Sequence, residues 1–346
     1  MTVGERPATE RAAHAGADPA IVRIRRALRR PGDALPRASI GTVPILWNNV
    51  DLADLAPTVD PPTVLDEIAR TGYEGTQEGR GFPRGAALRE MLAARDLRLA
   101  EVYVSIPCSS DGPPRDAIDA ARDRLAILHE GGGEVLVVAL DGSPERSAWS
   151  ARANDPRTPR LTDDGWRRLI KLVERLASDT RDLGHGFAWH QHTATYVETP
   201  AELDRLLDST AAAGTVGVCL DVGHYTVAGG DPVDAIRRYG ARIGHVHLKD
   251  VDPAVLHRLR AGEIADFGAA VRDRIFTELG AGVIDLPAIL VQLAVLDYAG
   301  WLMVEQDSAW GPPSESAAIG RRVLAADLRR LGAASRRAGV ARCASR

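Results

Sequence analysis

Several things are scarce in this chain of 346 residues, and each scarcity closes off a class of protein. Its three cysteines, Cys108, Cys219 and Cys343, make neither an even disulfide framework nor a CxxC metal spacing. Cys219 sits inside an apolar run, where a thiol reads as a small buried hydrophobe, and this usage fits a reducing, cytoplasmic setting. No apolar run approaches the ~18 residues of a membrane span. Neither sign of charge dominates: the net charge is -4, which offers no polyelectrolyte surface to nucleic acid or an anionic membrane. Nucleotide loops are missing as well. No GxGxxG follows an early strand, and Gly131-Gly132-Gly133 ends a helix before a strand, the wrong order for a phosphate loop.

What is present is a repeating alternation. Hydrophobic residues make up 45% and charged residues 26%, enough apolar material for one large α/β domain or two of medium size. From Ile40 a short β-like run alternates with a helix-period run eight times. Strands are expected at Ile40 to Trp47, Tyr73 to Glu78, Leu99 to Ser105, Glu134 to Leu140, Phe187 to His192, Val216 to Asp221, Ile243 to Lys249 and Trp301 to Glu305. The polar stretch Asp141 to Arg160 is longer than usual connections and is a candidate rim or lid. A second excursion runs from Asp250 to Gly282. Eight parallel units in about 290 residues fit a single-domain α/β fold, the closed (β/α)8 TIM barrel, over 39–332. A doubly wound open sheet is the second choice. Residues 1–38, rich in Ala, Arg and Pro, are expected to form a disordered arm outside the fold, and 333–346 a frayed tail.

The last four strands carry the chemistry. Five of the nine histidines fall there, with two acids: His190 and His192, Asp221 followed by His224, His245 and His247, then Glu305. Alternation puts residues i and i+2 on one face, so His190 shares a face with His192, and His245 with His247 and Lys249. Any one of these residues has an ordinary explanation. A strand-end histidine is commonly a hydrogen-bonded core residue, Glu305 reads as half of an ion pair, and Asp221 as the cap of the next helix. Together, at successive strand ends where a barrel keeps its active site, they read as one divalent-metal centre. Mixed imidazole and carboxylate donors suit Mn²⁺, Co²⁺, Zn²⁺ or Fe²⁺ better than Ca²⁺, and the lack of a thiolate makes the site catalytic rather than structural; Mn²⁺ or Co²⁺ is the expected ion, with Zn²⁺, Fe²⁺ or Mg²⁺ also compatible.

These pieces carry a resemblance. Trp47-Asn-Asn49, Gly72-Tyr-Glu-Gly-Thr76, His190-Gln-His192, Tyr196-Val-Glu-Thr199, Leu220-Asp-Val-Gly-His224, His245-Val-His-Leu-Lys-Asp-Val251, Leu279-Gly-Ala-Gly282 and Val304-Glu-Gln-Asp307 are similar to motifs of the xylose isomerase-like TIM-barrel superfamily of sugar phosphate isomerases and epimerases. Within it the chain resembles the inosose dehydratases of inositol catabolism, over roughly Ile40 to Leu331. The resemblance implies metal ligands at Asp221, His247 and Glu305, with His190 at a strand-five position where most of the superfamily has glutamate. It implies a substrate-facing His224 and a lysine, Lys249, at the barrel mouth.

The activity so implied is that of a hydro-lyase on a keto-cyclitol of the 2-keto-myo-inositol type. A base removes the proton α to the ketone, a β-hydroxyl leaves, and a divalent metal acting as Lewis acid stabilises the enediolate. His224 and His192 are the candidate acid/base pair, since imidazoles titrate near neutral pH, with Lys249 as electrostatic helper or alternate acid. Trp47, Asn49, Glu74 and Gln77 are candidates for holding sugar hydroxyls, and His245 for contacting substrate or orienting a ligand. The same centre would serve a ketose isomerase or epimerase, or a lyase opening keto-glycosides. A catalytically silent binding barrel is the reading from another class. The acidic balance argues against the superfamily's endonuclease branch. The expected partner is a small polyol or keto-sugar, with no nucleic acid and no membrane. Monomer and homo-oligomer are both compatible.

Overall fold

Gly-terminated helices feeding short apolar strands leave little choice of architecture, and the computed structural model shows the result. It describes residues 18–344 apart from 30–31, 51, 53–57, 211–213 and 215. The strands are β1 (Ser39–Thr42), β2 (Gly75–Gln77), β3 (Arg98–Ile106), β4 (Val135–Leu140), β5 (Gly186–His190), β6 (Gly217–Asp221), β7 (Ile243–Leu248), β8 (Asp250–Val251), β9 (Phe276–Thr277) and β10 (Trp301–Val304). Eight of them close a parallel barrel in the order β1-β10-β7-β6-β5-β4-β3-β2, while β8 and β9 form a separate antiparallel pair. The expected TIM barrel is therefore the fold, and the open-sheet alternative is set aside because β1 pairs with both β2 and β10.

Local signals explain the element ends. Asp60 caps the helix Pro61–Thr71 through the Thr63 N–H, Thr162 caps Asp163–Asp182, and Thr199 with Glu202 forms a reciprocal capping box on Pro200–Ser209. Gly72 and Gly132 close their helices in the left-handed region (φ 91° and 68°), which glycine enters without a Cβ penalty. Inside the barrel, Trp301 and Met303 fill space left open by Gly75 and Gly41. A methyl at either glycine would collide with those side chains.

Three differences from the sequence-based expectation have physical causes. The first strand stops at Thr42, and Pro44–Leu46 forms a 3₁₀ turn, because Pro44 has no N–H to give to a ladder. Part of the expected arm is helix: Pro19–Leu28, capped by Asp18, lays Ile24 and Leu28 against Gly72 and donates from Arg25 Nε to the Tyr73 carbonyl (2.9 Å). Its arginines suggested a solvated segment, but its apolar stripe has a surface to cover. The final helix, Pro313–Ala344, continues through most of the expected tail. Residues 1–17 and 30–31 of the expected arm lie outside the described residues. Among the described residues no helix is long and apolar enough to cross a membrane.

Candidate metal centre and cleft

Strand parity brings the four expected ligands together at the C-terminal mouth of the barrel. His190 ends β5, Asp221 ends β6, His247 lies on β7 directly beside Asp221, and Glu305 follows β10. His190 Nε2 is 3.6 Å from Asp221 Oδ2, His247 Nδ1 is 3.8 Å from the same oxygen, and His247 Nδ1 is 2.7 Å from Glu305 Oε2. Asp221, His247 and Glu305 each offer a donor atom, all within 4.8 Å of one another. Those three atoms, Asp221 Oδ2, His247 Nδ1 and Glu305 Oε2, are buried and make no hydrogen bond. Leaving such groups unsatisfied is costly, so a divalent cation fits there on the chemistry of the donors. Asp221 serves as helix cap too: its Oδ1 accepts the His224 N–H (2.7 Å) and leaves Oδ2 for the centre.

Charge points the same way. Asp221, Glu305 and Asp307, three carboxylates, surround the buried ammonium of Lys249. Burial opposes the charge on Lys249, but Asp307 (2.6 Å), Glu305 (3.0 Å) and Asp221 (3.6 Å) hold it protonated well above the usual lysine range. Burial likewise disfavours charge on Glu305, yet Lys249 and His247 pull its carboxyl down to about 2. The pocket is short of positive charge, which a bound cation supplies. Gly223 makes the lysine's position available, because a Cβ there would press on the Lys249 stem.

The centre opens into a cleft of about 890 Å³, roomy for a six-membered ring. Gln77, Tyr103, Ser105, His190, His192, His247, Glu305 and Asp307 line it. Its rim comes from both long excursions. Ser143, Pro144 and Ser147 stand on one side, Asp266, Phe267 and Gly268 on the other, and the Phe267 N–H donates to Ser147 Oγ (3.1 Å). The second excursion carries its own small core around Val251, Leu259, Ile275 and Phe276. Asp250 closes its base by accepting the N–H groups of Gly280 (2.8 Å), Gly282 (3.1 Å) and Ile284 (3.0 Å).

The first rim is anchored by buried charge. Arg146 forks onto both oxygens of Glu202 (2.9 Å each), and Glu198 accepts the N–H groups of Ala194 (2.9 Å) and Ala151 (3.3 Å). Burial raises the Glu198 carboxyl to about 8 despite Arg146 nearby. A folded-state pKa above the unfolded one means that folding takes up a proton, so this group's stabilisation is full at low pH and is lost as pH rises toward 8. Glu198→Gln, which copies the neutral acid, should therefore melt close to the parent at pH 5 and gain on it by pH 9. Parallel melting curves across that range would remove the assignment.

The acid/base candidates are placed unequally. His192 lines the cleft, and its Nδ1 lies 2.7 Å from the Thr193 carbonyl oxygen. A carbonyl only accepts, so Nδ1 carries the proton and Nε2 keeps its lone pair. Burial, with His190 and Lys249 adding to it, lowers the His192 pKa to about 3, so the ring is neutral. His224 is stacked behind it, ring centroids 3.9 Å apart, fully buried and off the cleft wall. Its Nε2 meets Lys249 Nζ at 3.1 Å and its Nδ1 meets Thr193 Oγ1 at 2.9 Å. Burial, then His192 and Lys249, push its pKa well below the usual range.

Among the expected substrate contacts, Gln77 lines the cleft, and the other four stand elsewhere. Trp47 is buried with Nε1 donating to Glu67 (2.6 Å), since the 3₁₀ turn takes it out of the strand. Asn49 braces the loop after β10 by donating to the Asp307 carbonyl (2.6 Å). Glu74 precedes β2, so it lies at the far end of the barrel, where its Oε2 accepts the Ile40 N–H (3.3 Å); the expectation of a sugar contact is corrected by that position. His245 lies below the centre against Glu101 (2.5 Å), away from the cleft wall. Glu101 itself was missed. The available signal was a lone acid at an inward position of the otherwise apolar run Leu99-Ala-Glu-Val-Tyr-Val.

Comparison with known proteins agrees with the barrel fold. The chain is 33% identical to an inosose dehydratase of Lacticaseibacillus casei over 84% of its length and 97% of that protein. It is 34% identical to an inosose dehydratase of Geobacillus kaustophilus (86% and 97%) and 37% identical to the rhizopine catabolism protein MocC of Rhizobium meliloti (85% and 89%). Among solved structures, an L-ribulose 3-epimerase superposes with a TM-score of 0.65 at 17% identity, covering 88% of this chain and 98% of that one. Residues 65–327 match the family model described as xylose isomerase-like TIM barrel, and the chain belongs to that family.

Proposed function

We propose that this protein is a metal-dependent hydro-lyase that dehydrates a keto-cyclitol of the 2-keto-myo-inositol type. The observation that carries the reading is the set of three donors without a hydrogen bond, Asp221 Oδ2, His247 Nδ1 and Glu305 Oε2, at the foot of the cleft that His192 lines. The inosose dehydratases to which the chain is similar over most of both lengths support the substrate class.

When bound by Asp221, His247, Glu305 and His190, a divalent ion, Mn²⁺ or Co²⁺ by the donor set, supplies Lewis-acid stabilisation of developing oxyanion charge. His192 Nε2 takes the proton α to the ketone, and its Nδ1–H stays on the Thr193 carbonyl, so the ring does not reorient as it charges. Loss of the β-hydroxyl breaks a C–O bond and consumes one proton to leave as water; the imidazolium of His192 returns the proton it has taken. Lys249 stays cationic behind the wall, a fixed charge for the two acids of the centre, and His224 holds that ammonium in place. The two rims exclude water over the site.

The experiment is to give metal-loaded protein 2-keto-myo-inositol and common ketoses in D₂O. An ultraviolet-absorbing unsaturated ketone or dione is expected from the cyclitol, and chelation should lower turnover by about 100-fold or more, with Mn²⁺ or Co²⁺ restoring it. Solvent deuterium in a recovered, rearranged ketose would transfer the assignment to an isomerase or epimerase, in which the proton returns and the hydroxyl stays. Undiminished turnover after chelation would end the metal reading.

A further inference from the structure

The barrel interior below the centre holds a charge that the proposed reaction does not use. Glu101, on β3, faces β7 from the opposite side of the barrel, with three strands between them in either direction around the ring. Its Oε2 reaches across the lumen to His245 Nε2 (2.5 Å) and His247 Nε2 (2.9 Å), and all three side chains are buried. Barrel interiors at this level are ordinarily filled by branched apolar residues. Desolvating a carboxylate costs several kcal/mol even after relaxation, so its retention here calls for a role.

Imidazole chemistry supplies one. A neutral ring has one N–H, and a carboxylate can only accept, so Glu101 draws the proton of His247 to Nε2. In the neutral ring that binding a cation requires, Nδ1 is then the lone-pair nitrogen, and it lies 2.7 Å from Glu305 Oε2 and 3.8 Å from Asp221 Oδ2. His245 Nε2, 2.5 Å from the same oxygen, crowds the carboxylate against the ring from below. We propose that Glu101 is a positioning residue that fixes the tautomer and orientation of His247 so that Nδ1 faces a divalent cation, with His245 as its brace. The inference rests on the metal centre described above and extends it by one residue from the opposite wall.

Glu101→Gln keeps the volume, removes the charge, and leaves one acceptor oxygen and an NH2 group where two acceptor oxygens stood. Its affinity for Mn²⁺, measured by calorimetry on the full-length protein, should fall about 10- to 100-fold, while the melting temperature of the metal-free variant stays at or above that of the parent. Parent protein that binds no divalent cation would sink both this inference and the metal centre. Parent protein that binds Mn²⁺ with the variant binding equally well would sink this inference alone. A second measurement needs no variant: ¹⁵N-histidine spectra of the Zn²⁺-loaded parent should show His247 metallated at Nδ1 and protonated at Nε2. Metallation at Nε2 would overturn the role of Glu101 whatever the variant does.

Discussion

Asp221→Asn should lower kcat/KM by about 10³-fold or more and weaken Mn²⁺ binding at least 100-fold, with the fold intact. Several kcal/mol of transition-state stabilisation is what a Lewis-acid centre contributes, and about 4 kcal/mol corresponds to three decades in rate. The substitution separates two jobs of one side chain. An amide oxygen still accepts the His224 N–H at the start of the helix Val222–Val227, so the cap survives. The amide nitrogen, however, then takes the place of Oδ2, facing Lys249 Nζ at 3.6 Å and His190 Nε2 at 3.6 Å with a donor instead of an acceptor. Calorimetry with Mn²⁺, steady-state kinetics and a thermal melt on the same preparation check the three parts together. Turnover within tenfold of the parent, with metal still bound, would remove Asp221 from the centre.

His192→Gln should cost about 10²- to 10⁴-fold in kcat, the usual contribution of a positioned base, while Mn²⁺ affinity stays within about threefold. His192 supplies none of the three donor atoms without a hydrogen bond, so its loss should be felt in proton transfer alone. Exchange of the substrate α-proton with D₂O should disappear with it. His224→Gln is the necessary comparison, because the two rings stack at 3.9 Å and the spacing of residues could not decide between them. With both ring nitrogens of His224 engaged, by Lys249 and Thr193, its replacement should cost less than that of His192. The reverse order of effects would assign the base to His224.

Much of the site was legible because its rules are local. The eight β/α units follow from glycine and proline punctuation and from the switch between periods of two and 3.6 residues, and the strand expected at Val216 to Asp221 runs from Gly217 to Asp221 in the structure. Parity alone put His190 on one face with His192, and His247 on that of Lys249. The errors came from strand ends. Glu74 was expected to hold sugar hydroxyls, but its strand begins one residue after it, at Gly75, which places the side chain at the other end of the barrel. Trp47 was expected on a strand that Pro44 ends early. The Arg-rich start was excluded on composition, though Ile24 and Leu28 had a site to cover beside Gly72.

The sequence by itself determined which residues exist at the mouth of the barrel and which side of each strand they occupy, because alternation is a property of the backbone that no distant contact alters. Only the tertiary structure decided how those side chains divide the work. That Glu101 reaches His247 from the opposite wall, that His192 stands in front of His224, and that two rims 120 residues apart in the chain meet through Phe267 and Ser147 all depend on closing the ring. Closure joins residues whose separation along the chain carries no period, and a pattern without a period cannot be read before the chain has folded.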